Sequence, residues 1–322
     1  MTLAGRQSHL LLSETQLEHF VQMAAELAPS LEPERLRRNE PMAGHTTFRI
    51  GGPADIFVEP ASVAELTALI QTARACGLPV TVLGNGSNVL VADRGIRGLV
   101  ISLGQPMARI RREGLCLVAE AGALLSSVAA MAAREGLGGL AFASGIPGTI
   151  GGAIMMNAGA YGHCMAERVE STTCLEKDLS MQVIRGADHA FGYRESCFRG
   201  TDRIILETTL TLTPQDPAAI RDEMAQLAAR RRNSQPLDLP SAGSAFKRPP
   251  GHYAGQLIAE CGLKGFRIGD AAVSERHAGF IVNMGQATAS DVACVFRHVQ
   301  ATVLARTGVA LEQEVLFIGD WD

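Results

Sequence analysis

The chain is short of aromatic residues, which make up 5% of its 322 positions and include one tryptophan and three tyrosines. Its cores and pockets must therefore be built largely from aliphatic side chains and bare backbone. It also lacks an excess of either charge: 29 basic and 33 acidic residues leave a formal net charge of −4. That balance excludes the basic footprint of a nucleic-acid binder. The one cationic run, Arg230-Arg231-Arg232, is short and reads as a solvated helix end, where cations are favoured. Seven cysteines are scattered at 76, 116, 164, 174, 197, 261 and 294, with no Cys-x-x-Cys pair and no Cys/His cluster at zinc spacing. An odd, dispersed set argues against a disulfide framework or a metal site and fits small buried thiols in a reducing compartment. Residues 1–12 carry no apolar signal core, so a cytoplasmic location is expected. Gly136 to Ala166 holds no formal charge and is long enough to span a bilayer, but its glycines and Pro147 make a poor continuous helix. No membrane insertion is expected.

What is present is 47% hydrophobic sequence, enough for two or three cores, arranged mostly as alternating strand and helix patterns. Residues 1–40 read as an N-terminal appendage: a helix over 14–27 with Leu17, Phe20, Val21 and Ala24 on one face, then a charged link to Glu40. The ordered body is expected from about His45. Ser62-Val63-Ala64-Glu65 is a capping-box pattern opening a helix closed by Gly77. Leu78 to Leu83, Leu99 to Leu103, Leu115 to Glu120 and Ile204 to Leu212 read as strands, and Leu124 to Glu135 as an Ala-rich helix. Beyond Pro214 come a helix to Arg232, a proline-marked linker (Gln235 to Pro240) and a short helix over 254–261. A strand over 279–283, a long helix over 290–307 and a closing strand over 309–318 complete the pattern.

Six segments could carry chemistry. Gly84-Asn85-Gly86-Ser87-Asn88 ends a strand; glycines there permit positive φ and close approach, and successive N–H groups can cradle a diphosphate. Val89 breaks the Rossmann spacing, no Walker A motif exists, and alone the loop is more often a plain turn. Ser144-Gly145-Ile146-Pro147-Gly148-Thr149-Ile150-Gly151-Gly152-Ala153, running on to Asn157 and Gly162, is an uncharged glycine wall suited to a flat heteroaromatic ring, or else a packed bend. Phe191-Gly192-Tyr193-Arg194 sets an arginine among aromatics, where it could clamp a carboxylate or simply sit on a strand edge. Ser241 to Pro249 brackets Ser244 with small residues ahead of Lys247 and Arg248. A serine can act as a proton donor only toward a strongly basic intermediate, and no nucleophile elbow is present. Glu312 and Glu314 share a face if the last segment is a strand. His277 precedes the 279–283 strand and is as well explained as an ordinary core or surface histidine.

Taken in order, Thr47-Phe48-Arg49-Ile50-Gly51-Gly52, Gly84 to Asn88, Gly145 to Ala153, Tyr193-Arg194, Ala242 to Pro249 and Glu312 to Val315 closely resemble the UDP-N-acetylenolpyruvoylglucosamine reductase family, also called UDP-N-acetylmuramate dehydrogenases. The similarity runs from about residue 40 to 320. It implies an α+β fold: an FAD-binding portion of the vanillyl-alcohol-oxidase (PCMH) type made of two α+β subdomains (41–100 with the closing segment 309–322, and 101–215), and a C-terminal α/β substrate-binding domain (216–308). It implies non-covalent FAD held by Arg49, Gly84, Asn85, Gly86, Ser87, Asn88, Gly145, Ile146, Pro147, Gly148, Gly151, Gly152 and Ala153. NADPH would be the hydride donor and a UDP-sugar, UDP-N-acetylglucosamine enolpyruvate, the substrate. Ser244 resembles the proton donor, and Arg194 with Glu314 the pair that stabilises the enolate of the substrate carboxylate. Tyr193, Lys247, Arg248 and His277 are the implied substrate contacts. Peptidoglycan synthesis follows as the expected role, with no obligate protein partner evident. Two departures stand out. Arg248 replaces an Asn found in some members, and the insertion that supplies a mobile tyrosine in one branch is missing, so the chain resembles the shorter branch.

Two other classes remain to be weighed. An oxidase of the same FAD-binding fold would often tether flavin through a loop His or Cys, and neither 84–88 nor 145–153 contains one. A non-catalytic nucleotide sensor would have no use for the Arg194, Ser244 and Glu314 set.

Overall fold

The computed structural model describes residues 13–321; the expectation about a leader in residues 1–12 lies outside the described residues. The chain divides into two compact units. One holds the described residues of Met1–Arg38 together with Asp55–Asn85 and Arg97–Ala228; the other holds Asn39–Ala54, Gly86–Ile96 and the described residues of Ala229–Asp322.

In the first unit, helix Glu14–Leu27 begins with a complete Ser13/Gln16 capping box and buries Leu17, Phe20 and Ala24, the face its periodicity predicts. Those side chains join the main core cluster, so this helix packs as part of the body. The charged link expected up to Glu40 is corrected: Leu36–Pro41 is the edge strand of a four-stranded sheet ordered Leu36–Pro41, Pro53–Val58, Ile96–Ser102, Val80–Leu83. Ordered structure thus begins well before His45. A half-exposed edge strand tolerates the charges that suggested a link. Val80–Leu83 and Ile96–Ser102 pair in parallel, with Val80 opposite Leu99.

Helix Val63–Ala75 is capped by Ser62, which accepts the Glu65 N–H. The reciprocal half of the expected capping box is absent because Glu65 has better partners. Arg35 donates to it from two guanidinium nitrogens (2.7 and 3.2 Å), as do the Ser30 hydroxyl and the Ala61 N–H. Burial on its own would raise the Glu65 pKa, but the Arg35, Ala61 and Ser30 hydrogen bonds and the Arg35 charge outweigh it and hold the carboxyl at about 2.

The same unit contains a five-stranded antiparallel sheet in the order Met181–Arg185, Val169–Leu175, Ile204–Thr211, Cys116–Glu120, Ile110–Glu113. Helices Leu125–Arg134 and Ile150–Met155 pack against it. Three of these strands (Ile110–Glu113, Val169–Leu175 and Met181–Arg185) escape a pattern reading. Met181–Arg185 is an edge strand with exposed Met181 and Val183, and Val169–Leu175 is rich in Thr and Ser without clean alternation. The longest helix in the uncharged glycine stretch is the six-residue Ile150–Met155, and no helix among the described residues is long and apolar enough to cross a membrane.

The second unit carries an antiparallel sheet ordered Ser241–Ser244, Phe280–Asn283, Ala271–Val273, Arg267–Ile268. Helix Ala289–Thr307, the helix expected over 290–307, buries Val292, Val295, Phe296, Val299 and Val303 against it and ends at Gly308 with φ 72°. The expected closing strand over 309–318 shrinks to Leu316–Ile318, which pairs in parallel with Val89–Val91. Ahead of it, Gln313 makes only an isolated bridge to Phe246.

Candidate active site

In the first unit the two glycine loops meet. A Cβ on Gly84 would lie 2.3 Å from Thr149 Oγ1, so this position requires glycine for close approach. The Asn85 amide donates to the Pro147 carbonyl, and Thr149 caps helix Ile150–Met155. The sequence shows Thr149 within the motif but gives no sign of this double duty. Gly151 is explained by packing: its N–H donates to Ala121 O at 2.9 Å, and an added Cβ would sit 3.2 Å from the Ala121 Cβ. Ala153 is buried in the core, with its N–H given to Thr149 O and its carbonyl accepting from Ala158 N–H, so its part is to pack. Gly145, Pro147 and Gly152 are exposed, and Ile146 and Gly148 are half-buried, leaving a surface free of charge and almost free of side-chain bulk.

Asn85, Gly86 and Ser87 follow one another with Gly86 at φ 58°. Among the described residues, none of their three backbone N–H groups donates within the chain, although Gly86 is a buried residue. Unpaired consecutive N–H groups at such a turn are the donor set an anion needs. A run of donors of this kind fits a diphosphate.

Tyr193 and Arg194 sit on a tight turn rather than a strand edge. Gly192 and Glu195 exchange backbone hydrogen bonds in both directions, and Arg194 has φ 59°. For a residue with a Cβ this left-handed conformation costs about 1–2 kcal/mol, so something must hold it. Asn157 Nδ2 donates to Gly192 O (2.9 Å), Ser196 Oγ to Met155 O (2.8 Å) and Arg199 to Arg194 O (3.1 Å). The Arg194 guanidinium lies 5.2 Å from the Tyr193 ring centroid. Among the described residues seven non-glycines have positive φ, and four of them (Arg49, Asn157, Tyr161 and Arg194) fall inside the motifs picked out by sequence.

In the second unit, Arg49 (φ 55°) is exposed on a turn closed by Arg49 N–H to Thr46 O. The turn is fixed by Thr47 Oγ1 donating to Ser241 O (2.7 Å), Asn283 Nδ2 donating to Phe48 O (3.3 Å) and Thr47 N–H donating to Gly86 O (3.2 Å). Gly86 can approach because it has no Cβ; one would stand 2.1 Å from His45 O. Asn88 reaches the other way, donating to Glu314 O at 3.1 Å.

Ser244 owes its direction to a bulge. Ala242 is buried, so plain alternation would turn Ser244 inward as well. A register shift between Ser241 and Ser244, with Gly243 at φ 78°, swings Ser244 out to solvent while Ala245 and Phe246 return to the core. Glu314 N–H donates to Ala245 O (2.9 Å), which places the Glu314 backbone one residue from Ser244. The two glutamates differ sharply. Glu314 is buried, whereas Glu312 is exposed and paired with the sheltered Lys247 ammonium. Arg248 stacks 3.9 Å from the centroid of the exposed Tyr253 ring, an aromatic that lies outside the 241–249 motif.

His277 packs on Gly255 and Gly279, and its Nδ1 accepts the Gly279 N–H at 3.1 Å. Burial lowers its pKa, the nearby Lys264 charge lowers it further, and its own local backbone hydrogen bond works against both. The ring is therefore neutral near pH 7, and with Nδ1 an acceptor its proton resides on Nε2, a donor. No group of His, Cys, Asp and Glu among the described residues could hold a metal ion.

Residues 54–185 match the family described as FAD binding domain, and residues 235–318 match UDP-N-acetylenolpyruvoylglucosamine reductase, C-terminal domain. The UDP-N-acetylenolpyruvoylglucosamine reductase of Agathobacter rectalis is 46% identical over 314 residues, covering 94% of this chain and 99% of its own. That of Levilactobacillus brevis is 47% identical over 298 residues, covering 92% and 98%. The crystal structure of UDP-N-acetylenolpyruvylglucosamine reductase from Thermus caldophilus superposes with a TM-score of 0.77 at 37% identity, covering 89% of this chain and 99% of that one.

Proposed function

The chain belongs to the UDP-N-acetylenolpyruvoylglucosamine reductase family, and on that premise we propose that it uses NADPH to reduce the enolpyruvyl ether of UDP-N-acetylglucosamine enolpyruvate to UDP-N-acetylmuramate, a peptidoglycan precursor. It is an oxidoreductase with an FAD-binding domain, and the loops 84–88 and 145–153 hold the cofactor without a covalent bond. Bound there, FAD would supply the means of carrying hydride from NADPH to C3 of the enolpyruvyl group.

The rest of the chemistry falls to side chains. Hydride at C3 leaves negative charge shared between C2 and the substrate carboxylate. Arg194 and Glu314 stabilise that charge, the first through its guanidinium. Ser244 Oγ delivers the proton to C2, completing the lactyl ether. Only so basic a carbon could take a proton from a serine. Arg49, Gly84, Asn85, Gly86, Ser87, Asn88, Gly145 to Gly148, Gly151 and Gly152 serve the cofactor, with Ala153 packing beneath them, and Tyr193, Lys247, Arg248 and His277 serve the UDP-sugar. Residues 41–215 with the closing segment 309–322 form the flavin-binding portion and 216–308 the substrate-binding domain, in an enzyme of the cytoplasm.

The observation that most supports this reading is the Gly243 bulge, which turns Ser244 outward one residue from a backbone bond to the buried Glu314. The purified protein should be yellow, release its flavin on denaturation, and turn over NADPH continuously only when the enolpyruvyl substrate is added. Colour that stays with the denatured chain, or no turnover with that substrate, would overturn it.

A further inference from the structure

The loop that carries Tyr193 and Arg194 leaves and re-enters the body at one buried histidine that the proposed reaction does not use. His189 is 1% exposed, and its carbonyl accepts the Cys197 N–H at 2.7 Å, which closes the loop at its base. Both ring nitrogens are engaged. Nδ1 lies 3.1 Å from Gly186 O; a carbonyl can only accept, so Nδ1 carries the proton. Nε2 must then accept, and its partner at 3.0 Å is the hydroxyl of Thr172, fully buried in the middle of strand Val169–Leu175. A ring fixed at both ends is a rigid platform. Phe191 stacks on it at 4.8 Å with planes 6° apart, and Phe198 meets it edge-on at 6.2 Å. Phe191 is two residues before Tyr193, and Phe198 four after Arg194. The loop also contains two left-handed non-glycine residues, Ala190 (φ 46°) and Arg194 (φ 59°), a conformation it would abandon if its base were loose.

We infer that His189 is a positioning residue: its ring, fixed between Thr172 and Gly186 and stacked on Phe191, holds the Tyr193-Arg194 turn in its strained form so that the guanidinium is aimed before substrate arrives. It never touches the reacting atoms and acts through Arg194. The inference rests on the reading of Arg194 as the enolate-stabilising residue, and the test separates the two.

The two half-reactions are measured apart by stopped flow in the holoenzyme, FAD reduction by NADPH and FAD reoxidation by the enolpyruvyl substrate. His189→Leu should slow reoxidation by about 10- to 100-fold, the cost of a misaimed group, with FAD reduction unchanged within about twofold. Thr172→Val, which keeps the shape of the side chain but frees Nε2, should slow the same step by about 3- to 10-fold. It carries the test if the histidine variant does not fold. The deciding measurement is the cycle with Arg194→Ala. A residue that works only through Arg194 has nothing left to contribute once the guanidinium is gone, so each variant should add less than about twofold in that background. If Arg194→Ala alone leaves reoxidation untouched, the role given to Arg194 fails. If it slows reoxidation but His189→Leu or Thr172→Val adds its full effect on top, or slows FAD reduction equally, the positioning role fails.

Discussion

The turn that carries Arg194 and the strand end that carries Ser244 face one problem, pointing a polar side chain away from packed apolar surroundings, and use different materials for it. Around Ser244 the backbone does the work: a bulge with glycine at the left-handed position reverses the alternation of the strand, and no side chain is enlisted. Around Arg194 the arginine itself occupies the left-handed position, and its neighbourhood supplies the restraint through Asn157, Ser196, Arg199 and the His189 platform. The first design is cheap and local. The second depends on distant side chains, and so it should be the more easily disturbed by changes that leave the arginine in place.

The comparison breaks most directly at Ser244. Ser244→Ala removes one oxygen at an exposed site, so stability should not move. Reoxidation of reduced flavin by the enolpyruvyl substrate should fall by about 10²- to 10⁴-fold, the usual contribution of a general acid, with FAD reduction by NADPH unchanged. Stopped-flow measurement of both steps decides it; equal loss in both would end the proton-donor assignment.

A second test asks whether the side-chain tethering of the first unit extends to its stability. Glu65 is held at about 2, against an ordinary 4.5, chiefly by Arg35 once burial is overcome. With the folded pKa lower than the unfolded one, its contribution is complete above about pH 4.5 and disappears as pH falls toward 2; it is worth on the order of 3 kcal/mol. Glu65→Gln should forfeit about that much at pH 7 by leaving the Arg35 charge poorly paired. It should also flatten the stability curve between pH 4.5 and 2 in urea titrations. An unchanged midpoint at pH 7 would show that the pair contributes no net stability.

The sequence makes the glycine-built parts visible and hides the tethered ones. Gly84, Gly86 and Gly243 stand out as letters, and helix Ala289–Thr307 announces itself by its period. The fold class follows from motif order. Arg194 was legible as a candidate but not as a strained turn residue, because nothing in Phe191-Gly192-Tyr193-Arg194 marks a positive φ on an arginine. His189 and Asn157 gain their roles from contacts with residues 17 and 35 positions away, beyond any local pattern. The closing strand over 309–318 was overextended for a related reason. Alternating Glu312 and Glu314 looks like a strand, yet the segment serves as a bridge to Phe246, with one carboxylate buried and the other in solvent.

A gentler change sharpens the backbone side of the comparison. Nothing lies within 4 Å of a Cβ added to Gly243, so Gly243→Ala meets no steric obstacle, only the conformational cost of φ 78°. That should lower stability by about 1–2 kcal/mol. If the bulge relaxes to escape the strain, Ser244 swings inward and reoxidation slows. A variant that loses stability yet keeps full reoxidation would mean that the bulge, once formed, is held by the surrounding sheet rather than by its glycine.

The smallest effect is expected at His277. Its folded pKa lies below the ordinary 6.5, through burial first, so the unfolded chain takes up the proton before the folded one does. Stability contributed by keeping this ring neutral is therefore whole above about pH 6.5 and declines as pH drops toward the folded value. His277→Asn can keep an acceptor for the Gly279 N–H, since the amide oxygen falls near the place of Nδ1, and it removes the titration. Chemical denaturation at pH 7 should differ by less than about 1 kcal/mol, the scale of one modest hydrogen-bond change, while the decline below pH 6.5 becomes shallower. On the proposed role of His277 as a substrate contact, KM for the UDP-sugar should rise with kcat held in the same variant, since a lost ground-state contact weakens binding without slowing the chemistry. A steeper acid decline than in the parent would mean that the ring is stabilised in its charged form.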